Sequence, residues 1–278
     1  MKDDTTYAEI NNVQKRLEQY KLGIWLISLR QDSHRRERIV RQLRDLGLHF
    51  TCFDAVDGNA LQSDLIRKAD SDAYLRNMGS TLLPGKLGVY ASHVAVWEEF
   101  VASPHHIALI LEDDVVLHDD FLTALCTALA SSDLWDLVRF NCVRAKLPVR
   151  QAQLGSYSLN AYIGPFTGNS CYLLHRSTAV RILPNLWPQT RAMDHELNRF
   201  FHHNYRQLGI EPWSSHPDDG GVSSITGRDF ALVKKHAWYK RLPHYSLKAM
   251  NYLRRCIWLL MNGMLFRSHI LKRPGVFL

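Results

Sequence analysis

In the stretch HIALILEDDVVLHDDF (residues 106–121), three consecutive carboxylates, Glu112, Asp113 and Asp114, follow an apolar run. Adjacent carboxylates repel one another, and a triplet at the end of a buried strand is best tolerated with a cation among them. Hard divalent ions such as Mg2+ or Mn2+ take oxygen ligands, typically one or two carboxylates with substrate phosphates completing the shell. A bound metal also offsets the charge that builds on a departing diphosphate. In open α/β sheets the carboxyl ends of the strands border the ligand crevice, and a strand that ends in acids delivers them there. The plainer alternative is a solvated acidic loop, with Asp119 and Asp120 serving only as helix caps.

The elements that must position these acids alternate. GIWLISL (23–29) reads as a buried strand. It is followed by a helix over 32–47, whose Ile39, Leu43 and Leu46 share one face, with Asp32 or Ser33 as cap and Gly47 as stop. LHFTCFDAV (48–56) is a second strand ending at the turn signal DGN, so the three elements form a βαβ unit. Residues 59–85 show no clear pattern apart from a turn at LPGKLG (83–88). A helix over 86–103 carries Val89, His93, Val96, Trp97 and Phe100 on one stripe. A strand over 107–111, a helix over 119–132 and a strand over 136–141 follow. The Gly-, Ser- and Asn-rich segment 151–170 reads as a loop, and 171–175 as another strand. Two helices then follow, separated by Pro184 and Pro188. The alternation favours a mainly parallel α/β sheet covered on both faces.

The chain is 278 residues long, with 46% hydrophobic and 22% charged residues, ordinary globular usage that excludes wholesale disorder. Five cysteines without a CxxC pair and a polar opening stretch lead us to expect a reducing compartment. No run reaches the roughly 20 apolar residues of a membrane span. The net charge of +7 is unevenly placed: after Asp229 come ten lysines and arginines and no acid, which leaves a net −3 on the preceding residues. That basic tail also contains CIWLLMNGMLF (256–266), too short to span a bilayer but suited to the headgroup layer of an anionic leaflet. Single-stranded nucleic acid is the rival partner. We expect none, because the aliphatic stretch has no stacking role. The third reading is a helix docked on the body or on another subunit.

IWLISLRQDSHRRERIVRQLRDLGLHFTCFDAVDG, LPGKLGVYASHVAVWEEF and ALILEDDVVLHDDF, in this order, resemble glycosyltransferase family 25, the lipooligosaccharide and lipopolysaccharide sugar transferases of Gram-negative bacteria. The resemblance runs from about residue 23 to about 228. It implies a GT-A-like, Rossmann-type nucleotide-sugar fold, a divalent metal (Mn2+ or Mg2+), a UDP-sugar donor, often UDP-galactose, and inversion at the sugar carbon. Glu112, Asp113 and Asp114 match the family's acidic motif. Asp114 would hold the metal, and Glu112 or Asp113 would meet the donor ribose or the metal's water shell. Arg35 matches an arginine after the first strand, where the donor nucleotide would lie, and is otherwise a solvated helix residue. Asp57 and Gly58 match a turn after the second strand, and would otherwise be only a turn. Ser92-His93 match a family SH pair; His93 is a catalytic candidate or a satisfied core histidine. Asp194, in AMDHEL, is the candidate general base or a helix cap, with His195 and Glu196 as substitutes. In residues 214–229, which depart somewhat from the family pattern, His216 could complete a metal shell. Gly220-Gly221 could let that loop close over the donor; an ordinary polar loop is the alternative.

The sequence thus leads us to expect a polar extension (1–22), a transferase domain (23–229) and a basic, helical membrane-association tail (230–278). The expected reaction moves a hexose, galactose first, from a UDP-sugar to a lipid-linked oligosaccharide. It would occur at the cytoplasmic face of the inner membrane, on a peripheral cytoplasmic protein. A metal-dependent phosphohydrolase and a non-catalytic peripheral membrane protein are the alternatives.

Overall fold

The structure, a computed structural model, describes residues 15, 17–30, 33–60, 62–218, 233, 237–266 and 271–273. Strand β1 (Leu22–Ser28) is buried along almost its whole length. Helix α1 (Ser33–Asp45) closes Ile39 and Leu43 against the sheet, and Gly47 ends it at a φ of 69°. The expected Asp32 cap lies outside the described residues, as does the Gly220-Gly221 loop. Strand β2 (Thr51–Asp54) is shorter than expected and sits exposed at the sheet edge. The segment without a clear pattern holds α2 (Ser63–Arg67) and α3 (Ser71–Met78); the Asp70 carboxylate caps α3 by accepting from Ala73 N at 2.8 Å.

Helix α4 (Pro84–Ala102) starts on a proline, whose missing N–H costs nothing there. It buries Tyr90, His93, Val94, Val96, Trp97 and Phe100, a wider face than one stripe. Strand β3 (Ile107–Glu112) buries Ile107 to Leu111 in succession, the continuous apolar run of a strand covered on both faces. A two-residue turn, Asp113-Asp114, leads into β4 (Val115–Leu117), and α5 (Phe121–Leu129) follows. Asp120 occupies the position before α5, but its carboxylate does not cap the helix; Oδ2 accepts instead from the Tyr157 hydroxyl at 2.8 Å.

Beyond β5 (Leu137–Arg139) and β6 (Arg144–Ala145), the expected loop is mostly sheet. Strands β7 (Pro148–Leu154) and β8 (Tyr157–Tyr162) form a hairpin turned by Gly155, and β9 (Phe166–Thr167) pairs with β6. Composition misled here because the polar residues are buried with partners. Gln151 Nε2, for example, donates to the Met264 carbonyl at 2.8 Å. Strand β10 (Cys171–His175), α6 (Arg176–Ile182), α7 (Met193–Leu197), α8 (Phe200–His203), β11 (Gln207–Glu211) and β12 (Ser215–Pro217) follow. Helix α9 (Leu242–Met261) and β13 (Leu271–Arg273) complete the described chain.

One sheet organises the fold, with strand order β13-β7-β8-β11-β5-β10-β3-β1-β2. Its pairings leave seven strands pointing one way and only β8 and β10 reversed, a mostly parallel sheet with helices against it. Strands β1, β2 and β3 therefore end at one edge, where Ser28 lies opposite Asp54 and Ile27 opposite Glu112. Because β10 runs backwards, its beginning lies at that same edge, so residues 168–170 arrive beside the end of β3; Glu112 N donates to the Ser170 carbonyl at 2.8 Å.

Candidate active site

The acidic triplet splits into three separate roles. Glu112 is the last residue of β3, and its side chain turns to His93, whose Nε2 lies 3.1 Å from Oε1. His93 Nδ1 lies 2.9 Å from the Tyr172 hydroxyl, which in turn accepts from Trp97 Nε1 at 2.9 Å. Asn169 Nδ2 lies 3.0 Å from His93 Nε2. Asp113 Oδ2 accepts from the Ser28 hydroxyl at the end of β1, at 2.7 Å. Asp114 is fixed through its backbone: its carbonyl accepts from Asp218 N at 2.7 Å and from Arg38 Nη2 at 3.3 Å. Arg38 also pairs with the Asp218 carboxylate at 2.7 Å, so α1 and the segment after β12 clamp the turn together.

His93 has no exposed surface. It is enclosed between the Tyr172 hydroxyl and the Glu112 carboxylate, the surroundings of a core histidine with its polar atoms satisfied. His216, the third expected metal ligand, sits on β12 opposite Val116 of β4, with its Nδ1 2.7 Å from His118 Nε2. Among the described residues no group of three His, Cys, Asp or Glu side chains could hold a metal, so Glu112, Asp114 and His216 do not form a ligand set. An all-protein cage does not fit. A hard cation bound through one or two carboxylates, with phosphate oxygens filling its shell, needs no such cage.

Asp194 lies in the first turn of α7, half-buried. It does not cap that helix in the usual sense: Oδ2 accepts from Gly168 N at 3.1 Å and Oδ1 from His195 N at 2.9 Å. Burial pushes its carboxyl up, but neighbouring His195, the Gly168 N–H and Arg139 outweigh that and hold it below the usual carboxylate range. Gly168 and Asn169 are consecutive; one binds Asp194, the other contacts His93. The dipeptide thus joins the candidate base to the Glu112 network. Glu196 is not available as a substitute base, because it is buried and bonded to Arg191, Arg199 and His203.

Arg35 stands half-buried in the first turn of α1. Asp57 Oδ1 accepts from Asn59 N at 2.8 Å, an Asx turn. That turn packs directly on the start of α4: a Cβ on Gly58 would lie 2.5 Å from Gly85 Cα, and one on Gly88 2.5 Å from the Val56 carbonyl oxygen.

Five contributors escaped the sequence reading: Ser28, Arg38, Lys86, Arg139 and Asn169. Arg139 is fully buried in β5; it donates to the carbonyls of Phe166 and Gly168, each at 2.6 Å, and so fixes the loop that carries Asn169. A cation inside the apolar run DLVRFN was its visible signal. Lys86, in the first turn of α4, feels the charge of Asp194; burial nonetheless leaves its ammonium below its ordinary value.

A family profile described as "Glycosyltransferase family 25 (LPS biosynthesis protein)" matches residues 21–187, more than half of the chain and all three strand ends that carry the site. The chain belongs to glycosyltransferase family 25. Three family 25 relatives illustrate its range. The probable inactive glycosyltransferase 25 family member 3 of Rattus norvegicus is 32% identical over 123 residues, 41% of this chain and 22% of that protein. A glycosyltransferase 25 family member of Aedes aegypti is 29% identical over 152 residues, 49% of this chain and 24% of that one. The human procollagen galactosyltransferase 2 is 26% identical over 138 residues, 47% and 22% respectively. The alignments thus span about a quarter or less of the length of these family 25 relatives.

Proposed function

We propose that the chain is an active, inverting hexosyltransferase that moves galactose from UDP to a lipooligosaccharide or lipopolysaccharide acceptor. The reaction would take place at the cytoplasmic face of the inner membrane, where a soluble nucleotide sugar meets a lipid-linked acceptor. Family membership supports the transferase class, and the galactosyltransferases among the relatives support the sugar. The observation that carries the reading is the junction of the Glu112–Asp114 turn with Asp194 through Gly168 and Asn169, at the carboxyl edge of the sheet.

In this reading Asp113 and Asp114 would hold Mn2+ or Mg2+, which when bound supplies positive charge to the diphosphate. Arg35, in the first turn of α1, and Asp57, in the turn after β2, would border the nucleotide. Glu112, oriented by His93, would meet the donor ribose. Lys86 would add a cation beside the reacting groups. Asp194 would take the proton of the acceptor hydroxyl as its oxygen attacks the anomeric carbon and UDP leaves from the opposite face. The two N–H donors on Asp194 fix its carboxylate in one orientation, so little reorganisation accompanies the transfer.

A specific observation also favours a non-catalytic reading: several relatives carry the word inactive in their names. UDP release from a panel of UDP-sugars, with an oligosaccharide acceptor and with Mn2+, Mg2+ or EDTA, separates the two. Preference for UDP-galactose, loss with EDTA and loss in Asp114→Ala at unchanged melting temperature support the transferase. No turnover with any donor, together with unimpaired folding, moves the chain to the inactive branch.

A further inference from the structure

Helix α9 has two apolar faces, and the fold uses only one. Arg255 and Leu259 are buried against the body; Arg255 Nε donates to the Ile163 carbonyl at 2.7 Å, and Trp258 Nε1 to Asn204 Oδ1 at 3.1 Å. On the opposite face Leu242, Tyr245, Leu253, Ile257 and Leu260 recur at helical spacing, each between 43% and 54% exposed. Helices of globular proteins turn polar residues outward, so an exposed stripe of large apolar side chains opposite the packed face marks a contact surface. Trp238 and Met261 extend it at the two ends, 68% and 80% exposed.

The charge around this stripe says what covers it. Lys240, Lys248 and Arg254 are exposed beside it, and the sequence has no acid after Asp229. A cationic rim around an apolar stripe is complementary to an anionic lipid surface, where the side chains enter the acyl boundary and the cations meet headgroups. Among the described residues no helix is long and apolar enough to cross a membrane, so contact is with the surface. We propose that the outer face of α9 docks this protein on an anionic bilayer, with α9 lying in the plane of the headgroups. The proposal goes beyond the transferase reading and does not depend on it.

Flotation of the full chain with vesicles tests it. We expect binding to phosphatidylcholine mixed with phosphatidylglycerol and none to phosphatidylcholine alone. Leu253→Asp combined with Ile257→Asp should weaken binding by about tenfold or more, because both side chains enter the apolar layer. Lys248→Glu combined with Arg254→Glu should weaken it comparably, and raising salt from about 0.1 M toward 1 M should weaken wild-type binding as the Debye length shrinks from about 10 to 3 Å. All four positions are exposed and outside the site, so melting temperature and UDP release should stay at wild-type values. Equal binding by wild type and both double variants would overturn the proposal, as would failure of wild type to float with anionic vesicles. A solution dimer that Leu253→Asp with Ile257→Asp dissociates, without vesicle binding, would assign the face to a second copy instead.

Discussion

At the scale of single residues, Asp194 and His93 sit in different surroundings: Asp194 is half-buried and His93 has no exposed surface. Asp194 is half-buried, ionised and held by two N–H donors, which suits a base that must be deprotonated before the acceptor arrives. Asp194→Asn keeps the shape and removes the basicity, and should lower kcat by about 10²- to 10⁴-fold with donor binding retained. The sign of the pH dependence follows from the lowered carboxyl: the active form is the deprotonated one, so this group causes no fall in kcat between about pH 8 and pH 5. Burial lowers the His195 imidazole from its ordinary value of 6.5, so a kcat that falls by half below that pH in the wild type and not in a His195 variant would place the base at His195. His93→Ala removes the partner of the Glu112 carboxylate and one of the two partners of the Tyr172 hydroxyl, at a cost of about 1–3 kcal/mol in all. Melting temperature and kcat should both fall, with the shape of the pH profile unchanged and partial rescue by His93→Gln. A shifted profile would show that His93 itself titrates in the reaction.

At the scale of elements, a buried charge cluster joins α7, which carries Asp194, to α8. Glu196 accepts from Arg191 at 2.8 Å, Arg199 at 2.9 Å and His203 at 2.7 Å. Burial raises its carboxyl, but these partners outweigh that and bring it down to about 2. A carboxylate depressed in the folded state contributes its stability fully above the unfolded value of 4.5 and loses it as pH falls through about 2. That difference corresponds to about 3 kcal/mol at neutral pH. Urea unfolding should show Glu196→Gln less stable by about that amount at pH 7, with a flatter dependence between about pH 4.5 and pH 2. The elements themselves differ in how far the sequence disclosed them. Strands β1 and β3 and helix α1 were legible because their apolar periodicity is unbroken, and the acidic turn because it ends such a strand. The β7–β8 hairpin was not, since Gln151, Ser158 and Asn160 are polar residues in buried positions. Segment 168–170 was hidden for another reason: its place beside Glu112 comes from β10 running against β3, a pairing that no local pattern encodes.

At the scale of the whole molecule, the basic C-terminal part is built into the fold. Leu259 and Met264 are buried at 1% and 3% exposure, the Trp258 ring meets Phe200 edge-on at 5.1 Å, and β13 extends the main sheet alongside β7. The bonds run both ways: Gln151 Nε2 donates to the Met264 carbonyl, and Arg255 donates to that of Ile163. A chain ending before Leu242 would lose two buried apolar side chains worth about 1.5–3 kcal/mol each. It would also strand polar groups of the β7–β8 region at about 1–3 kcal/mol each. Together these losses approach the roughly 5–15 kcal/mol that holds a domain folded. The truncated chain should therefore unfold at a markedly lower urea concentration and be cut rapidly in pulse proteolysis, rather than stay folded without its C-terminal part. A truncated chain with the wild-type urea midpoint would make α9 an appendage. If the losses are as large as the buried contacts imply, one face of α9 holds the sheet together while the other is left for a surface outside the molecule. The two functions can then be separated only by substitutions on the outer face, never by deletion.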